Sequence, residues 1–94
     1  MARLEPKVRQ GEILEAAMTV ARTLGVYGFT RADVAALAGC APGLVNHYWG
    51  SMADLRTAVM LAGIVARDRS IVRQALASGY ADRVPEDLIR EVLS

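Results

Sequence analysis

Asn46, His47 and Tyr48, preceded by Pro42, Gly43 and Leu44, are the residues of this sequence whose types could do chemistry as a group. An asparagine amide can pair two ways with an adenine edge, a leucine can lie against a thymine methyl, and histidine and tyrosine can donate to phosphate or base. Rival chemistries find less support. Cys40 and His47 would need a third group to orient them as nucleophile and base, and none is apparent. One histidine without clustered carboxylates cannot build a metal site. The lone cysteine excludes an intrachain disulfide and a cysteine-based zinc site, as suits a reducing cytoplasm. The sequence therefore predicts no catalytic residue, metal or cofactor.

These residues need helices to position them. From Val8 to Leu24, Ile13, Leu14, Ala17, Val20, Ala21 and Leu24 fall on one stripe at helical period, and Gly25 is placed to end the helix. Thr30 with Asp33 forms a capping box that opens a second helix through Ala38, and Gly39 turns the chain. Pro42 suits the first position of a third helix that closes at Trp49 and Gly50. Ser51 with Asp54 repeats the capping pattern before the longest helical stretch, Met52 to about Ser78, closed by Gly79; Gly63 or the polar stretch Arg67 to Ser70 could break it. Pro85, Glu86 and Asp87 start a last short helix. Asp33, Asp54 and Asp87 thus read as helix-start residues. Tyr27 and Phe29 read as packing the corner before the second helix, Trp49 as core, and the triplet Arg67, Asp68, Arg69 as a solvated face.

Two short helices joined by a glycine-containing turn cross steeply and can project the second into a DNA major groove. Val45 and Trp49, four apart, would face inward, leaving Pro42, Leu44, Asn46, His47 and Tyr48 outward.

Composition bounds the rest. The 94 residues are 53% hydrophobic and only 5% aromatic, which excludes disorder and favours one all-helical domain, 1–94, over a large enzyme scaffold. Formal net charge is +1, from 11 basic and 10 acidic residues, so any anion binding must be local. Lys7 is the single lysine. No secretory signal is apparent, and the longest apolar run, Ala58 to Ala66, is about half of the roughly 20 residues that span a bilayer. Met60, Leu61, Ile64, Ile71 and Val72 widen the apolar face of the long helical stretch beyond what one core requires. They read as a dimer interface.

The stretch GFTRADVAALAGCAPGLVNHYWGSMADLRTAV, Gly28 to Val59, resembles the N-terminal DNA-binding domain of the TetR family of bacterial repressors, and EILEAAMTVARTLGVYGFT fits that family's first helix and following turn. The resemblance spans residues 8–62. It implies that Thr30 contacts a phosphate, that Pro42, Gly43 and Leu44 begin the base-reading helix, that His47 and Tyr48 hold the backbone, and that Val45 and Trp49 are core. Some positions depart from the family's pattern. Pro42, Gly50 and Met52 stand where basic residues are frequent, and Arg31 where an apolar residue is usual. Phosphate contacts would then fall partly to Arg3, Lys7, Arg9 and Arg31. Residues 63–94 stand where the family usually continues into a ligand-binding domain, so the resemblance implies a short form with a helical, dimerising extension.

The expectation is an all-α bundle of about five helices, a cytoplasmic repressor of bacterial, plasmid or phage origin that binds a palindromic operator as a homodimer without a small-molecule effector. The rival class is a helical module that binds another regulator, favoured by the near-zero charge. A salt titration separates them. Affinity for DNA must fall steeply as salt rises, whereas a partner held by apolar contacts should stay bound.

Overall fold

Every helix start in this chain has a local chemical cause. In a computed structural model, which describes residues 5–94, α1 (Pro6–Leu24) and α3 (Pro42–Trp49) begin on proline, whose missing amide hydrogen would lack an acceptor there anyway. α2 (Arg31–Ala38) and α4 (Met52–Val65) begin on complete capping boxes. Thr30 Oγ1 accepts from the Asp33 amide at 3.1 Å, and the Asp33 carboxylate accepts from the Thr30 amide at 2.8 Å. Ser51 and Asp54 repeat the exchange at 3.1 and 3.3 Å. Asp68 caps α5 (Arg69–Ala77) by accepting from the Ile71 amide at 3.1 Å. A 3₁₀ turn, Ala81–Arg83, leads to α6 (Glu86–Leu93), whose first turn holds Glu86 and Asp87. The described residues contain no strand, and the fold is all-α.

The long helical stretch expected through Ser78 is divided, which brings the α-helices among the described residues to six. Arg67 adopts a left-handed conformation with φ 55°, and the amides of Arg67 and Asp68 turn back to the carbonyls of Ile64 and Gly63 at 3.1 and 2.8 Å. Of the two candidate breaks, the polar stretch turns the chain and Gly63 stays helical. Gly63 serves close packing instead: a Cβ there would overlap Ile71 Cγ2, so its absence lets α5 lie directly on α4.

That fold-back corrects the expected dimer interface. Met60, Ile64, Ile71 and Val72 are each 8% exposed or less, in one core with Ile13, Ala17 and Ala21 of α1, Phe29, Val34 of α2, Val45 of α3, and Leu88 and Val92 of α6. Only Leu61 of the set is half-buried. A continuous helix would have left this stripe bare, whereas α5 doubling back covers it. The corner triplet is likewise no plain solvated face. Arg67 pairs with Asp87 at 2.8 Å, Asp68 accepts from Arg22 Nε at 2.6 Å, and Arg69 donates to the Glu91 carbonyl at 2.7 Å.

α5 also reaches back to the start of the helix-turn-helix. Gln74 Oε1 accepts from the Val26 amide at 2.6 Å and Gln74 Nε2 donates to the Ala21 carbonyl at 3.1 Å, fixing the turn between α1 and α2. Phe29 is buried beside that turn, but Tyr27 stays 67% exposed, with the Arg56 guanidinium 5.9 Å above its ring.

Two outcomes follow from this packing. Gly63→Ala forces Cβ into Ile71 and should destabilise the chain by about 1–3 kcal/mol, read by urea unfolding. Partial burial opposes the charge on Asp68, but hydrogen bonds from Arg22, Ile71 and Ser70 outweigh it and hold the carboxyl below its ordinary 3.8. A lowered folded pKa means that its stabilisation is complete above the ordinary value and is lost as pH falls through the lower one. Asp68→Asn, which keeps the cap, should therefore flatten the stability loss below about pH 4 in acid titrations of unfolding.

Candidate nucleic-acid interface

A two-turn helix such as α3 cannot hold its own orientation in water, so its neighbours must. Val45 plugs it into the core at 1% exposed, and α1 grips its far end. The Trp49 indole Nε1 donates to the Gln10 carbonyl at 3.0 Å, and Gln10 Nε2 donates back to the Tyr48 carbonyl at 3.1 Å. The entry to α3 is held as well. Gly39 takes a left-handed φ of 70°, the Cys40 amide donates to the Ala35 carbonyl at 3.0 Å, and the Arg9 guanidinium reaches the carbonyls of Ala38 and Gly39, each at 3.4 Å. Cys40 packs partly buried against the core in that turn.

α3 turns outward part of the set read from the sequence, while Tyr48, expected outward, packs partly buried against the core as Trp49 does. Pro42, Gly43, Asn46 and His47 are exposed, and Leu44 and Tyr48 are half-buried at the edge of the same face. The His47 and Tyr48 rings meet edge to face at 4.9 Å, which limits their rotation. Neither side chain, nor that of Asn46, makes a hydrogen bond among the described residues, so their polar atoms are free for an incoming partner. The first turn of α3 has no side-chain cap and no acidic residue, so its positive helix end is unopposed. In α2 and α4, by contrast, Asp33 and Asp54 occupy the helix starts.

The remaining expected contacts are spread more widely. Lys7 is exposed in the first turn of α1. Thr30 is exposed, and its hydroxyl oxygen accepts from Asp33 while its proton stays available. Arg31 is half-buried, with a buried Nε that has no partner among the described residues. Arg9 departs from the expectation: it faces the carbonyls at the end of α2 and pairs with Glu12 at 3.2 Å, which makes it a brace for the turn. Arg3 lies outside the described residues.

Sequence reasoning missed the two glutamines that hold this arrangement. Gln10 shares a helix face with Ile13 and Ala17, and Gln74 shares one with Ile71 and Ala75; a lone amide on an otherwise apolar stripe is the signal available. Among the described residues no group of three His, Cys, Asp or Glu side chains could hold a metal ion, and no helix is long and apolar enough to cross a membrane.

A family model described as bacterial regulatory proteins, tetR family, matches residues 13–59, from the body of α1 to the middle of α4, and so includes the whole helix-turn-helix. No curated protein and no solved structure matches the chain. The matched half of the sequence holds the turn, the anchored Val45 and Trp49 and the outward face of α3, and the chain belongs to the tetR family of bacterial regulatory proteins, as a helix-turn-helix DNA-binding transcription regulator.

Proposed function

We propose that the protein is a repressor that binds a palindromic operator as a homodimer, with α3 of each subunit lying in the major groove and blocking a promoter by occupancy. The observation that carries this reading is the anchored recognition helix, which leaves Asn46 and His47 exposed and without partners. Asn46 reads an adenine edge, Leu44 meets a thymine methyl, and His47 and Tyr48 donate to backbone or base. Gly43 lets the uncapped helix end approach a phosphate, and Pro42 shapes its first turn. Thr30, Arg31 and Lys7 supply the flanking phosphate contacts, with Arg9 bracing the turn between α2 and α3.

Two-fold symmetry places half-sites one helical turn, about 34 Å, or a multiple apart. Self-association is supported by the apolar side chains left outward in the C-terminal half: Val65 is 85% exposed and Leu93 68%, with Leu61 and Ile89 half-buried. Control would come through protein concentration or a partner protein, in the bacterial cytoplasm where the operator lies.

DNA selected from a random pool tests the operator directly, and the bound sequences should be palindromic. Asn46→Ala and His47→Ala should each weaken binding to the selected site by about 5- to 150-fold, the equivalent of 1–3 kcal/mol, with helicity unchanged by circular dichroism. Unchanged affinity in both variants would remove the proposed reading face.

A further inference from the structure

On the outer side of α1 and α2 runs an open groove of about 680 Å³ that the DNA-binding reading does not use. Its apolar surface comes from Leu14 and Ala16 of α1 and from Leu37 and Ala38 of α2, and Leu37 is 53% exposed. None of its lining residues belongs to α3.

Its rim is acidic. Glu12 and Glu15 both line the groove; Glu12 already pairs with Arg9 at 3.2 Å, and Glu15 has no ion-pair partner among the described residues. Carboxylates repel phosphates, so this face is unsuited to DNA and suited to a cationic partner. Gly11 adds a second observation. It stands inside a 19-residue helix, where glycine is less favourable than alanine, yet a Cβ there would meet nothing within 4 Å. Nothing in the packing of the described residues requires that glycine. Its missing side chain keeps one end of the groove open.

We infer that this groove docks a basic amphipathic helix of a partner protein. Two or three apolar side chains at i, i+3 or i+4 and i+7 would lie against Leu14 and Leu37 while a flanking lysine or arginine meets Glu15 and a second shares Glu12 with Arg9. The size of the groove, its apolar floor and its acidic rim fit that occupant better than an acidic or extended polar segment.

Selection from a displayed library of helical peptides on the full chain tests this, with Gly11→Phe and Glu15→Lys as comparison targets. Both substitutions lie on the surface of α1 away from the recognition face, and circular dichroism and binding to the selected operator confirm that each variant is folded. The enriched peptides should carry the apolar spacing with a net positive charge. They should bind the native chain at least tenfold more tightly than either variant, and exchange of their lysines for glutamates should cost at least as much. Failure to enrich any peptide, equal binding to the variants, or enrichment of acidic peptides would overturn the inference.

Discussion

The hydrogen bonds exchanged between Gln10 and the last turn of α3 decide where the outward face of that helix points. α3 is eight residues long and has one fully buried side chain, Val45, so packing alone leaves it free to rock about that point. The bonds from Trp49 Nε1 to Gln10 and from Gln10 to Tyr48 fix the far end, and Arg9 fixes the turn at the near end. Neighbouring residues of α1 thus hold both helices of the motif. α1 is held in turn by α5, through Gln74 at the end of α1 and Asp68 on Arg22. The C-terminal half therefore supports the orientation of α3 even though the family match ends at residue 59.

The near-neutral charge takes on meaning in this framework. Many arginines are engaged within the chain: Arg22 with Asp68, Arg67 with Asp87 and Glu91, Arg69 with Glu91, and Arg90 with Glu86. Among the described residues Lys7, Arg31, Arg56, Arg73 and Arg83 make no ion pair. Of these, Lys7 lies in the first turn of α1, the half-buried Arg31 opens α2, and Arg56 lies over Tyr27 in the turn before it. On the proposed reading, a regulator of net charge +1 would rely more on edge contacts from α3 than on the sequence-independent phosphate attraction that dominates strongly basic binders.

Features with a local chemical cause were legible in the sequence. Both capping boxes, the proline start of α3 and the glycine turn at Gly39 depend on residues within a few positions of one another, whereas the first helix, read from Val8, starts two residues earlier on Pro6. Features decided by tertiary context were not. The end of α4 lacks the usual glycine, because Arg67 takes the left-handed position and is held by carboxylates twenty and more residues away. Without that signal the stripe of Met60, Ile64, Ile71 and Val72 looked like surplus, when the fold-back makes it core. Tyr27 shows the converse: an aromatic expected to pack stays outward under the Arg56 guanidinium.

Amide chemical shifts of the full chain, recorded as its selected operator DNA is added, test the central claim most directly. The account predicts that the largest changes fall on residues 42–48 and Thr30, with smaller ones at Lys7 and Arg31, while the outer face of α1 from Gly11 to Thr19 is undisturbed. Changes centred on α5 and α6, with α3 unmoved, would contradict it.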